Sequence, residues 1–247
     1  MISKLITVFK QILYNQCKNS HSRSERILGV DSTEVLRSKT VALFGIGGVG
    51  SYCLEALVRS GIGTIIIIDK DTIDMSNINR QLIADFTNIG LPKVDIAEKR
   101  ARSINPYVNI IKYKRFYPQD GDIDLSRCDY IIDAIDTVSS KLYLVKKADE
   151  LNIPIISCMG TGNKLDPTQF KIDDIFNTSV CPLCKVMRHE LRKIGINKLK
   201  VVYSKEEPIK DHYRGNNNKV PGSTPFVPPV AGFIISSEVI KNLLSRE

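Results

Sequence analysis

The sequence predicts an α/β fold in which a mostly parallel sheet is flanked by helices and followed by a C-terminal extension. Three observations carry that prediction. Short β-branched runs such as Thr64 to Ile68 alternate with stretches that are apolar at helical spacing. A glycine-rich turn follows the first such run, and no internal repeat interrupts the alternation. Across 247 residues, 43% hydrophobic and 25% charged positions give the balance of a globular chain. The expected boundaries are an N-terminal helical extension over 1–21, a main sheet domain over 22–160, and a C-terminal lobe over 161–247 packed on the same core.

Taken in order, Ile2, Leu5, Ile6, Phe9, Ile12 and Leu13 recur at helical spacing with Lys4 and Lys10 between them. Such an amphipathic helix packs on a partner, frays, or lies on a membrane surface; packing or fraying is the simpler reading. A second short helix begins at Asp31, with Glu34 three residues on as a capping pattern. Thr40 to Phe44 is an apolar strand, and a helix runs from the glycine turn to about Ser60, where Gly61-Ile62-Gly63 breaks it. Thr64 to Ile68 is the next strand, ended by Asp69. A helix carrying Val94, Ala97 and Ala101 stops at Asn105-Pro106. Strands follow at Val108 to Lys112 and Tyr130 to Asp133, then a helix from Val138 to Leu151 and a strand starting at Ile155-Ile156. Beyond Gly160 the pattern loosens. A strand is expected at Gln169 to Ile172, a helix at Pro182 to Ile194, a basic mobile loop over 205–222, and a last helix from Val230 to Leu244 that covers the sheet.

Charge is uneven. The net charge is +8, and between Lys185 and Lys219 stand ten Lys/Arg against four Asp/Glu. Polyanions such as RNA suit that stretch, because neutralising phosphates releases counterions; a solvated lysine-rich helix and loop is the plain alternative. Six cysteines are too few for a disulfide scaffold, which points to a reducing, cytoplasmic setting. No apolar run reaches the ~18 residues of a membrane span and no signal-peptide pattern is evident.

Gly45-Ile46-Gly47-Gly48-Val49-Gly50 lies between a strand and a helix, the context in which glycines let phosphates approach backbone amides at a helix N-terminus. This makes the sheet Rossmann-like, with Asp69 at the end of the next strand placed for ribose hydroxyls. An adenine nucleotide is the expected ligand. NAD is the default, but Asp69 is followed by a loop reading Ser76-Asn77-Ile78-Asn79-Arg80-Gln81, and an arginine fork suits a triphosphate better than a nicotinamide. Lys93, at the start of a helix, adds a second cation. Asp136, after the Tyr130 to Asp133 strand, is a natural Mg²⁺ ligand when it faces phosphates. Singly, Arg80, Lys93 and Asp136 read as solvated charges or helix caps; their shared sheet edge makes the case.

These motifs together resemble the ubiquitin-activating-enzyme superfamily of adenylating proteins, which includes the activators of small sulfur-carrier proteins. Asp166-Pro167-Thr168-Gln169 and the pattern around Gly222 to Gly232 are most similar to its tRNA threonylcarbamoyladenosine dehydratase branch. The resemblance runs from about Ser22 to Leu244. It implies that 22–160 is an ATP-binding adenylation domain and 161–247 a substrate-binding lobe. It also implies that Gly45, Gly47, Gly48 and Gly50 form the phosphate turn and that Asp69 holds the ribose. Asn77, Arg80, Gln81 and Lys93 then grip the nucleotide, and Asp136 holds Mg²⁺. Arg26, in Arg23-Ser24-Glu25-Arg26, matches an arginine that crosses a homodimer into the neighbouring ATP site in the sulfur-carrier activators. The implied reaction is adenylation of the threonine carboxylate of threonylcarbamoyladenosine in a tRNA anticodon loop, followed by ring closure. A sulfur-relay protein partner and membrane contact through the first helix stay open.

Cys181-Pro182-Leu183-Cys184 is a single pair, whereas zinc-bearing relatives in that superfamily use two. His189 and His212 are the remaining donors at irregular spacing, so zinc is not expected. Redox chemistry on the pair is one reading, and two cysteines beginning a helix is the other. Cys53 and Cys158 read as core. Were the protein to pass an acyl group to itself, Cys158 and Cys184 would be the thiols to test. Against tRNA cyclodehydration stand three alternatives: an activator of a small ubiquitin-like protein's C-terminus, a non-catalytic nucleotide- and RNA-binding module, and an NAD-dependent dehydrogenase.

Overall fold

The computed structural model describes residues 20–210 and 221–245. Two short helices, α1 (Ser22–Leu28) and α2 (Ser32–Ser38), lead into β1 (Thr40–Phe44), α3 (Gly50–Arg59) and β2 (Thr64–Ile68). Then come α4 (Lys93–Ile104), β3 (Asn109–Tyr113), β4 (Tyr130–Asp133), α5 (Val138–Glu150) and β5 (Ile155–Cys158). The chain ends through β6 (Phe170–Asp174), α6 (Pro182–Lys193), β7 (Lys200–Ser204) and α7 (Val227–Leu244). The seven strands form one sheet in the order β3-β2-β1-β4-β5-β7-β6, parallel throughout except that β6 runs antiparallel to β7.

The apolar continuity of the strands follows from burial on both faces. In β1, Val41 and Leu43 join the core under α3, α4 and α7, while Ala42 and Phe44 join a second core under α5 and the segment containing Tyr117, Ile123 and Leu125. A third core gathers α6 with Met159, Val201 and Tyr203 around β7. Residues after 160 thus add two strands and two helices to the same sheet.

Several expectations shift. The helix α1 was not foreseen, because its sequence is mostly polar and it buries no residue. Asp31 is the N-cap of α2, but its side chain makes no capping bond; Ser32 instead donates its hydroxyl to the Gly29 carbonyl at 2.6 Å. The strand β7 escaped notice because Lys198 and Lys200 make its flank read as solvated. Helix α7 starts three residues early, with Pro228 and Pro229 in its first turn, where a missing N–H is tolerated. That helix is apolar and long enough to cross a membrane, yet ten of its residues are buried and it packs against α3. The expected Ile2 to Leu13 helix, His212 and the middle of the 205–222 loop lie outside the described residues. The described flanks of that loop are pinned to one residue: Ile209 N–H donates to the Asn163 carbonyl and Gly222 N–H to Asn163 Oδ1, at 2.8 and 2.6 Å.

Candidate active site

In the strand order, β1 lies between β2 and β4, so the connections leaving β1 and β4 diverge and open a crevice at their carboxyl ends. A cleft of about 540 Å³ occupies that position. Its floor is the glycine turn. Gly45 has φ +89°, and a Cβ there would meet the Ala134 carbonyl oxygen at 2.6 Å, so only glycine lets the turn press against the end of β4. Gly45, Gly47 and Gly48 line the cleft. Gly50 does not: a Cβ at that position would stand 1.8 Å from the Gly45 carbonyl oxygen, which makes it a packing residue beneath the turn.

Asp69 serves the turn as well as the cleft. Its Oδ2 accepts from the Ile46 N–H at 2.6 Å and its Oδ1 from the Asp71 N–H at 2.8 Å. Burial pushes its carboxyl up, against the pull of Lys93 and those two amides. Lys93, the first residue of α4, reaches Asp71 Oδ2 at 2.9 Å. Lys93 is buried to 6% side-chain exposure while Asp71 is half open at 49%, so its carboxylate is the kind of partner a phosphate could replace.

The Ser76 to Gln81 run is folded inward by a short 3₁₀ turn. Asp74 accepts from the Ser76 N–H, and Asn77 Oδ1 returns to the Asp74 N–H at 3.2 Å. Arg80 Nη1 donates to the Ser76 carbonyl and to Asn79 Oδ1, both at 2.8 Å, and Arg80 lines the cleft. Gln81 is 6% exposed and its Oε1 has no hydrogen-bond donor among the described residues. An orphaned buried oxygen costs about 1–3 kcal/mol, which a ligand N–H or O–H at this wall would offset. Asp136 lies exposed at the rim, held by the Thr137 hydroxyl at 3.2 Å, and no basic side chain pairs with it among the described residues. A free carboxylate beside a glycine turn fits Mg²⁺ wherever phosphate oxygens supply the remaining ligands. Arg26 is apart from this group. It sits exposed on α1 and does not line the cleft of its own chain.

The second wall lies outside the sequence-predicted site residues. Arg115, Phe116 and Tyr117 line the cleft beyond β3, with Lys70 Nζ 3.9 Å from the Phe116 ring centroid. The basic-aromatic run after β3 was the available signal, since loops at that strand edge face ligands. Residues 159–162, Leu183, Pro221, Ser223 and Pro228 close the opposite side, and Asn79 Nδ2 ties the two sides by donating to the Ser223 carbonyl at 3.0 Å. Also missed was the buried pair beneath the rim: Lys141 Nζ meets Asp133 Oδ2 at 2.9 Å and the Cys158 carbonyl at 2.7 Å.

Cys53 and Cys158 are buried. Cys158 and Cys184, the thiols named for acyl transfer, are unsuited to it. They are 4% and 0% exposed, and burial pushes Cys158 up to about 12, while hydrogen bonding to Cys181 and burial push Cys184 up. His189 stands exposed on α6, away from the buried cysteine pair, and no group of three His, Cys, Asp or Glu is placed for a metal among the described residues. Part of the basic stretch is engaged internally: Lys200 Nζ meets Glu238 at 2.5 Å and Asn242 at 3.0 Å, and Lys193 meets Glu190 at 2.8 Å.

The chain has relatives among known proteins. It matches the ThiF family over residues 21–247. The chain belongs to the ThiF family. Among curated relatives of this ThiF-family chain, the tRNA threonylcarbamoyladenosine dehydratase of Bacillus subtilis is 43% identical over 241 residues, covering 90% of this chain and 94% of the relative. The Escherichia coli protein of the same name is 35% identical over 169 residues, which span 68% of this chain and 63% of that relative. The solved structure of the E. coli tRNA N6-threonylcarbamoyladenosine dehydratase in complex with ATP superposes with a TM-score of 0.82 at 29% identity. It covers 93% of this chain and 95% of that one. The complex of the same enzyme with AMP gives 0.82 as well.

Proposed function

We propose that the protein is an ATP-dependent tRNA-modifying dehydratase that converts threonylcarbamoyladenosine in the anticodon loop to its cyclic form. The observation that carries this reading is the convergence of Arg80, Lys93, Gln81 and Asp136 on one glycine-floored cleft, in a chain 43% identical to a relative of that name over nearly the full length of both. The amides of the glycine turn and the Arg80 and Lys93 cations hold the triphosphate, and Asp69 holds the ribose. Lys93 exchanges Asp71 for a phosphate oxygen. Asp136 would hold Mg²⁺, which when bound draws charge from the phosphates.

The threonine carboxylate of the modified adenosine attacks the α-phosphorus, and pyrophosphate departs. Arg80 and Lys93 stabilise the charge that develops on the phosphate oxygens. An amide nitrogen of the same modification then displaces AMP and closes the ring. Nucleophile and electrophile share one substrate, so proximity supplies much of the rate and no enzyme thiol is required. Residues 161–247 act as the substrate-binding lobe, a role supported by their contribution to one wall of the cleft. The exposed Lys198 contributes to the tRNA-facing charge; Lys200, paired with Glu238, serves the fold instead. The free cysteines of the described residues suit a cytoplasmic setting.

The active unit is a homodimer in which Arg26 of the partner subunit completes the site. Ile27 and Val30, beside Arg26, are 86% and 79% exposed, as an uncovered interface would be. Incubation with Mg-ATP and tRNA carrying threonylcarbamoyladenosine, followed by digestion and mass analysis, tests the reaction: the nucleoside should lose one water only when ATP is present. An unchanged nucleoside would exclude it. Mixing inactive Arg26→Ala and Asp136→Ala proteins should restore part of the activity if the arginine acts across subunits, and none if each chain works alone.

A further inference from the structure

Two thiols lie behind the wall of the cleft built by residues 159–162. Cys181 is the N-cap of α6 and Cys184 closes its first turn, so the helix brings both sulfurs to one end. The Cys184 thiol and the backbone N–H groups of Cys184, Gly160 and Leu183 face the Cys181 sulfur. Four donors on one sulfur, at the positive end of a helix, are what a thiolate calls for. The Cys184 thiol and those amides draw Cys181 down, whereas Cys181 and burial together push Cys184 up, so that it keeps its proton.

A buried cation lies within electrostatic reach of the pair. Lys164 is 3% exposed, its ammonium donates to the Glu206 carbonyl oxygen, and no carboxylate forms an ion pair with it among the described residues. Burial disfavours its charge; foremost among the charges that support it is Cys181, ahead of the Glu206 carboxylate. A buried ammonium needs an anion, and a Cys181 thiolate provides one. Access comes from the cleft. Gly160 and Leu183 both line it, and a Cβ on Gly160 would stand 3.8 Å from the Cys181 sulfur, so a single glycine separates that sulfur from the nucleotide site. With Cys181 only 2% exposed, the reagent must be small.

We propose that Cys181 and Cys184 are a peroxide-sensitive dithiol whose disulfide weakens nucleotide binding in the adjoining cleft. The Cys181 thiolate attacks the O–O bond of hydrogen peroxide, an S–O bond forms, and hydroxide leaves. The Cys184 sulfur then attacks the resulting sulfenic acid; the S–S bond forms, the S–O bond breaks, and the oxygen departs with the Cys184 proton as water. Two thiol electrons have reduced one peroxide. A neutral disulfide sulfur is a poor acceptor for the Gly160 N–H and no counter-charge for Lys164, so the 159–162 wall moves and ATP affinity falls about tenfold. This last step rests on the ATP reading of the cleft; the dithiol chemistry does not.

The test uses the full-length chain treated with hydrogen peroxide, quenched, alkylated with iodoacetamide under denaturing conditions and mapped by peptide mass, with ATP affinity measured by calorimetry before and after. Expected are a Cys181–Cys184 linkage with the other cysteines alkylated, and an ATP Kd about tenfold higher that dithiothreitol restores. Cys184→Ser should form no linkage and should trap Cys181 as a dimedone-reactive sulfenic acid. Alkylation of both cysteines after peroxide, or no dimedone labelling of Cys184→Ser, would overturn the dithiol. Linkage with unchanged ATP affinity would overturn the switch. Linkage in a protein that binds no ATP even when reduced would sustain the dithiol and overturn the proposed function instead.

Discussion

Lys93–Asp71 and Lys141–Asp133 are the same chemical pair at the same 2.9 Å, and both stand at the cleft edge of the sheet. Their surroundings differ. Lys141 and Asp133 are both fully buried, and each has a second fixed bond: Lys141 to the Cys158 carbonyl, Asp133 to the Ile135 N–H at 3.1 Å. That closed set ties the ends of β4 and β5 to α5, directly below the loop that carries Asp136. Lys93 is buried but faces an open partner, so it can turn to a ligand without leaving a charge stranded. One pair builds the wall, and the other works at its surface. Distance alone does not distinguish them; solvent access to the carboxylate does.

Breaking the closed pair should have the largest effect. Lys141→Met strands a buried carboxylate and should destabilise the fold by about 3–5 kcal/mol in urea denaturation, while adding Asp133→Leu should recover most of that loss. A small cost for Lys141→Met would erase the difference between the two pairs.

The open pair should fail the other way round. Lys93→Ala should lower ATP-dependent turnover about 10²–10³-fold, as removal of a charge-stabilising donor does, at a stability cost of about 1 kcal/mol, since Asp71 keeps its water and Asp69, which loses the Lys93 charge, keeps the Ile46 and Asp71 amides. Turnover is read from conversion of the modified nucleoside, and stability from the urea midpoint. A Lys93→Ala protein that unfolds like Lys141→Met would show Lys93 to be structural.

The contrast also explains what was legible beforehand. Strands β1, β2 and β4 were readable because burial on both faces makes their residues continuously apolar; that the glycine turn, Asp69, Arg80, Lys93 and Asp136 share one cleft was readable because they end strands, ride the loop after β2 or open the helix behind it. Lys141 and Asp133 were not, since a buried ion pair eight residues apart looks in sequence like two surface charges. The wall formed by residues 159–162 and 221–228 is equally invisible to local pattern: its segments meet only when α7 closes on α3. The strand β7 was hidden by its flanking lysines, one of which proves to be paired with Glu238.

A third carboxylate grades the comparison. Glu55 on α3 is 10% exposed and accepts from Arg59 Nε at 2.8 Å and from Arg100 Nη2 at 2.8 Å, but the arginines themselves are 57% and 43% exposed. Burial pushes the Glu55 carboxyl up; hydrogen bonds and charge from Arg100 and Arg59 outweigh it and hold the group below the ordinary glutamate value of 4.5. A carboxyl depressed in the folded state binds fewer protons there than in the unfolded chain. Its stabilisation is therefore present above 4.5 and is lost as pH falls through the folded value. Glu55→Gln should cost on the order of 1 kcal/mol at pH 7, well short of Lys141→Met because water screens the arginines. That deficit should shrink as urea melts are taken below pH 4.5, and shrink with added salt at pH 7. A deficit that ignores both pH and salt would mean that Glu55 acts by packing, and that openness to water does not order these three pairs.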